Sequence, residues 1–228
     1  FVYHVAGKGG LWGNWDDFHA VNVTGTENVI AACRRQGIAR LVYTSSPSVV
    51  FDGADQEGVD ESYPYPARYE SPYPATKAMA EQRVLASNSS DLRTVSLRPH
   101  LIFGPGDNHL LPALIERAQK GRIPQVGDGS NRVDLTYVED AARAHLLAAD
   151  ALVPGAPSLR DVAGSAYFIS QDEPVVLWSW IDQLLTHLKL PPIRMKVGLP
   201  LARTIGAMLA ATYQALRIQR QPPLTPFL

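Results

Sequence analysis

Apolar positions along the chain switch repeatedly between a period near two and a period near 3.6. Short β-branched and aromatic runs alternate with longer amphipathic ones, and that alternation predicts an α/β protein with a parallel sheet. Residues 1–6 (Phe-Val-Tyr-His-Val-Ala) read as a buried strand that runs into a Gly/Trp loop. A helix is expected from Trp15 to Gln36, with Val21, Val29, Ile30 and Ala32 inward and Gly37 as its stop. Leu41-Val42-Tyr43 reads as the next strand and ends in Thr44-Ser45-Ser46. A loop rich in Pro, Tyr and acidic residues is expected over 52–72, then a helix from Pro74 to Ala86 and a strand over Thr94–Arg98.

The pattern changes after Gly104, where Gly104-Pro105-Gly106-Asp107 forms a turn cluster. A helix over Leu110–Lys120 follows, then a turn at Gly127-Asp128-Gly129 and a strand over Arg132–Val138. Asp140–Asp150 reads as helix and 151–165 as loop. The remaining expectations are a strand at Ala166–Ser170, a helix at Leu177–Leu188, a strand at Ile193–Val197 and an apolar stretch over Leu199–Ile218. In that last stretch Arg203 and Arg217 are the only charges, and the uncharged run Thr204–Leu216 is shorter than the roughly 20 residues a membrane span needs. Three readings stay open for it: a buried helix, a helix lying on a membrane, or one docked on a partner.

Composition narrows the function classes. The chain has 228 residues, 46% hydrophobic and 19% charged, which is globular usage. A net charge of −1 gives no electrostatic case for nucleic acid. One cysteine, Cys33, excludes an intrachain disulfide and fits a reducing compartment, so a cytoplasmic location is expected. The six histidines lack metal-ligand spacing, and no metal site is expected. The chain opens directly on a buried-strand pattern and closes at Pro226-Phe227-Leu228. Both ends are therefore expected to be cut from something longer.

Tyr73-Pro-Ala-Thr-Lys77 carries the sharpest chemistry. Four-residue spacing puts both side chains on one helix face. An ammonium beside a phenol favours the phenolate, lowering its pKa from about 10 and making it a usable proton donor and acceptor. Alone, such a pair is common by chance. The strand-end Thr44-Ser45-Ser46 upstream adds hydroxyls where an α/β sheet presents groups to ligands, although simple turn chemistry would explain them too.

With these residues together, the chain resembles the extended short-chain dehydrogenase/reductases. Val42-Tyr-Thr-Ser-Ser-Pro-Ser-Val-Val-Phe51 ahead of Tyr73-x-x-x-Lys77 carries the likeness. So do His4-Val5-Ala6-Gly7, Asn22-Val-Thr-Gly-Thr26, Leu97-Arg98-Pro99 with Phe103-Gly104-Pro105-Gly106, and Gly127-Asp-Gly-Ser130 with Arg132 and Tyr137-Val-Glu-Asp140. The wording is closest to the 3β-hydroxysteroid dehydrogenase branch. Thr44–Gly53 and Arg98–His109 look most like its bacterial 2-alkyl-3-oxoalkanoate reductases of olefin biosynthesis.

The resemblance implies a Rossmann-type doubly wound parallel sheet with a smaller α/β substrate lobe. It divides the chain at 1–105 and 106–228, some segments of the second part returning to the sheet. It implies Tyr73 as proton donor/acceptor, Lys77 as its tuner and ribose contact, Ser46 as the catalytic hydroxyl with Ser45 in reserve, and Asn22 beside them. Val5, Ala6, Gly7, Thr44, Tyr73, Lys77, Pro99 and Ile102 would line an NADP(H) or NAD(H) cofactor, NADP(H) being slightly favoured. The family's Gly-x-x-Gly-x-x-Gly turn has no counterpart here, since Gly7-Lys-Gly-Gly10 lacks the helix that should follow. The resemblance further implies a homodimer through residues 15–36 and 74–86, and an apolar keto-acid or sterol substrate. A nucleotide-sugar epimerase or dehydratase, and a non-catalytic nucleotide sensor, are the competing functions.

Overall fold

The computed structural model describes residues 1–218 except 11, 109 and 217, together with residue 222. Arg217, His109 and the Pro226–Leu228 ending therefore lie outside the described residues. The chain opens with strand β1 (Val2–His4). Helix α1 (Trp15–Phe18) then runs through a π-helical turn, His19–Thr24, into α2 (Gly25–Arg35). Strand β2 (Arg40–Thr44) ends in a 3-10 turn, Pro47–Val50, and helix α3 (Pro72–Ala86) leads to strand β3 (Arg93–Pro99).

The second half holds β4 (Ile102–Phe103), α4 (Leu110–Gln119), β5 (Pro124–Val126), β6 (Arg132–Val133) and β7 (Thr136–Tyr137). Then come α5 (Val138–Ala151), α6 (Leu159–Val162), β8 (Ala166–Ile169) and β9 (Val175–Val176). Helix α7 (Leu177–His187), β10 (Met195–Val197) and α8 (Leu199–Ala215) complete it.

Four strands form one parallel sheet in the order β1-β2-β3-β8. Alternation along β2 explains the layering. Leu41 and Tyr43 face α2 and α3, meeting Ile30, Cys33, Ala80 and Val84. Val42 faces the other way, toward Ala148, Ala149 and Leu152 of α5. Helices cover both faces of this sheet, the mark of a doubly wound parallel sheet, while β3 turns Thr94, Ser96 and Arg98 toward one face and Val95 and Leu97 toward the other. The later strands build small satellites: β4 pairs parallel with β7, β5 with β10, and β6 runs antiparallel to β9.

Three expectations change. The 132–138 strand is two separate pieces, and they pair with different partners. The 151–165 loop contains the one-turn helix α6. On the first long helix the inward residues are Asn22, Val23, Thr26, Ile30 and Cys33, whereas Val21 is exposed. The wider π turn shifts the phase of the helix, so a strict 3.6 period misplaces the residues near it.

Candidate active site

All the predicted chemistry gathers at the carboxyl ends of β1, β2 and β3, where a parallel sheet presents ligand-facing groups. Ser46 is in extended conformation and its Oγ caps the 3-10 turn by accepting from Ser48 N at 3.3 Å. Its Oγ also lies 2.8 Å from Ser48 Oγ. Ser45 is buried and its backbone N–H donates to the Leu97 carbonyl at 2.6 Å, which locks the turn to β3.

Helix α3 begins on Pro72 and is buried almost all round from Pro74 to Val84. Small residues at Ala75, Ala78 and Ala80 allow neighbouring elements to approach closely on several sides. Tyr73 is half-buried, and its phenol hydrogen-bonds to Ser46. Burial pushes the phenol up from its usual value and the Ser46 bond only partly opposes this. The expected lowering by Lys77 is therefore not met, because the ammonium is turned elsewhere. Lys77 Nζ donates to the Thr44 carbonyl at 2.5 Å and sits 4.2 Å from the centre of the Tyr43 ring. Only 4% of Lys77 is exposed, and burial brings its pKa down to about 7 despite the opposing charge of Glu81.

Asn22 projects from the π-helical turn and clasps the backbone of Lys8. Its Oδ1 accepts from Lys8 N at 2.7 Å, and its Nδ2 donates to Lys8 O at 3.1 Å and Thr76 Oγ1 at 3.0 Å. The turn thus fastens the loop after β1 to α3. Gly7 lies inside this clasp: a Cβ there would sit 3.4 Å from Asn22 Oδ1 and 3.8 Å from Lys77 Nζ. His4 is buried below, bonded to Thr26 Oγ1 at 2.8 Å; burial and then the Lys77 charge keep its ring in the neutral form.

Val5, Ala6, Gly7 and Ile102 are exposed, while Pro99 is buried at the end of β3. Thr44 is not free on its side chain: Oγ1 bonds to His145 Nε2 of α5 at 2.7 Å. The tyrosine-rich 52–72 loop folds over the turn. Tyr69 OH donates to the Val49 carbonyl at 2.9 Å, and Tyr63, Tyr65 and Tyr69 pack on Val49, Val50 and Ala78. The Gly/Trp loop reaches the far end of the chain. Trp12 Nε1 donates to the Ile218 carbonyl at 3.1 Å, and its ring meets Tyr213 edge-on at 6.2 Å.

Sequence reasoning missed the carboxylate below the catalytic pair. Glu81 is fully buried and accepts from Arg98, Ser96 and Tyr65 at 2.7 Å each. The signal was present, since Glu81 stands one turn after Lys77 and Arg98 interrupts an apolar strand. No group of side chains with metal-holding capacity exists among the described residues.

Residues 1–200 match the 3-beta hydroxysteroid dehydrogenase/isomerase family. A 2-alkyl-3-oxoalkanoate reductase of Stenotrophomonas maltophilia is 50% identical over 230 residues, covering 100% of this chain and 68% of the relative. The 3beta-hydroxysteroid-dehydrogenase/decarboxylase isoform 1 of Arabidopsis thaliana is 41% identical, covering 99% of this chain and 52% of that protein. The chain thus spans about half to two thirds of the length of these relatives. Among solved structures, MoeE5 in complex with UDP-glucose and NAD superposes with a TM-score of 0.68 at 28% identity, covering 88% of this chain and 66% of that one.

Proposed function

Because the chain belongs to the 3-beta hydroxysteroid dehydrogenase/isomerase family, we propose that it is an NAD(P)-dependent oxidoreductase. It would reduce the ketone of an apolar 2-alkyl-3-keto acid, or oxidise the corresponding alcohol. The observation that carries this reading is the Tyr73 phenol close enough to Ser46 for its hydroxyl to act on it, one turn from a buried Lys77. A phenol held in its protonated form is suited to giving a proton to a carbonyl oxygen, and the Ser46 hydroxyl beside it can hold that oxygen.

The residues around the site fit the nicotinamide end of the cofactor. Gly7 brings backbone close to Lys77 without a Cβ in the way, and Val5, Ala6, Pro99 and Ile102 would line the cofactor with it. Lys77 would meet the ribose hydroxyls, and Thr44 would act through its backbone carbonyl, which holds Lys77. When bound, the nicotinamide supplies or accepts the hydride. Tyr73 moves the proton, Ser46 orients the substrate oxygen, Lys77 sets the local charge, and Asn22 keeps the Lys8 loop against α3. We favour NADP(H) over NAD(H).

An apolar substrate is supported by the Trp12 loop, which is anchored at Lys8 and reaches Tyr213 of α8. Leu201 and Met208 of α8 are exposed, which supports docking of this helix on a membrane surface or a partner. No helix among the described residues is long and apolar enough to cross a membrane. Pairing of two copies through the outer faces of α2 and α3, and a cytoplasmic location, belong to the same proposal. Cofactor oxidation with a 2-alkyl-3-keto acid, a 3-ketosteroid and a UDP-sugar tests the reading. Oxidation with the keto acid supports it, whereas conversion of only the UDP-sugar favours a nucleotide-sugar enzyme.

A further inference from the structure

Glu81 is the one buried acid in contact with the catalytic helix face, and the reaction itself has no use for it. It lies at the third position of a stripe, Tyr73, Lys77, Glu81, that repeats every four residues along α3. None of its surface is exposed. Oε1 accepts from Arg98 Nη2 at 2.7 Å, Arg98 Nε at 3.2 Å and Tyr65 OH at 2.7 Å. Oε2 accepts from Ser96 Oγ at 2.7 Å and Arg98 Nε at 3.1 Å. The Ser45 hydroxyl is buried nearby without a hydrogen-bond partner of its own.

The donors to Glu81 come from parts that must stay in register for the site to work. Ser96 and Arg98 stand on β3 just before Pro99, and Tyr65 belongs to the loop over the serine turn. A buried ion pair is weak evidence for stability, since well-packed apolar groups often replace one at no cost. Its position therefore asks for another account. The groups that face Lys77 are Tyr73 and Glu81 on its own helix, Tyr43 and the Thr44 carbonyl on β2, His4 on β1, and the Asn22 clasp. His4 is neutral and Tyr43 is a buried phenol, pushed far above its usual value. Among the described residues, Glu81 is the acid whose charge acts on the ammonium.

We propose that Glu81, held by Arg98, Ser96 and Tyr65, is a positioning residue: one turn along α3 from Lys77, it supplies the negative charge that holds the Lys77 ammonium against the Thr44 carbonyl. This rests on Lys77 being the partner of Tyr73, but its central test is independent of turnover. The chain has only five lysines, so a lysine labelled with 13C at Cε gives five resolvable NMR signals, and Lys77→Met assigns the one that matters.

Following that signal against pH in the parent and in Glu81→Gln tests the proposal. The midpoint for Lys77 should fall by about one pH unit in Glu81→Gln, the scale of losing one opposite charge at close range. Arg98, left unpaired, would act in the same direction. Should the single variant fail to fold, Glu81→Gln with Arg98→Met leaves no charge unpaired and should show a smaller fall in the same direction. An unchanged Lys77 midpoint in the folded variant overturns the proposal. The alkaline limb of kcat should move down with the midpoint while KM stays near the parent value. A parent that titrates as expected but turns over no keto acid would sink the proposed function and leave this inference standing.

Discussion

Tyr73 and Lys77 sit one turn apart, yet their polar ends have different partners: Ser46 for the phenol and the Thr44 carbonyl for the ammonium. Adjacent serines are separated in the same way, Ser46 toward Tyr73 and Ser45 buried and bound to β3 through its backbone. Ser46→Ala should therefore lower kcat by about tenfold or more while leaving the melting temperature near the parent's. Ser45→Ala removes a buried hydroxyl that has no hydrogen-bond partner, so it should leave the melting temperature at or above the parent's, with a smaller effect on kcat. Steady-state kinetics and thermal melts on the pair separate the two roles. Lys77 leaves a signature in stability too. Its pKa is 10.5 in an open environment and about 7 in the fold, so between these values the unfolded chain binds more protons. Stability should then rise between pH 7 and 9 from this group, and Lys77→Met should flatten that rise in urea melts at several pH values.

At the scale of elements, the turn after β4 makes the sharpest demand. Gly104 has φ +141°, and a Cβ there would lie 2.6 Å from Val138 Cγ1 and 3.0 Å from the Tyr137 ring. Gly104→Ala should destabilise the protein by about 1–3 kcal/mol, read as a lower melting temperature, because both backbone and packing resist it. The alternation of long helices and strands was legible because α2, α3, α5 and α7 are long and bounded by Gly, Pro or a turn cluster. The π turn was not, since His19–Thr24 carries no local residue that marks a widened turn, and it moved Val21 outward. Glu81 was passed over for a related reason. A glutamate on a helix is usually solvated, and only the tertiary approach of Arg98, Ser96 and Tyr65 makes it interior. Ser46 and Tyr73 were found because their spacing is local, and Thr44 was only half understood because its partner His145 is distant in sequence.

Across the whole molecule, one buried ion pair joins the catalytic helix to the central sheet. Burial pushes the Glu81 carboxyl up, but the Arg98 hydrogen bonds and charge, with Tyr65, outweigh it and hold the group below its ordinary 4.5. A carboxylate held low stabilises the fold above that value and loses the contribution as pH falls below it through the folded pKa. The parent should accordingly lose stability in acid more steeply than Glu81→Gln with Arg98→Met, as circular dichroism at falling pH would show. Arg98→Met alone should cost about 3–5 kcal/mol at neutral pH, since it strands a buried charge. The central claim is narrower than the fold: Tyr73 moves the proton in an NAD(P)-dependent reaction on an apolar ketone. Its most direct test is oxidation of NADPH or NADH by the complete protein with a 2-alkyl-3-keto acid, comparing the parent with Tyr73→Phe. The account predicts turnover in the parent and a loss of about a hundredfold to ten-thousandfold in the variant, with the cofactor still bound. Turnover in Tyr73→Phe equal to the parent's would contradict it.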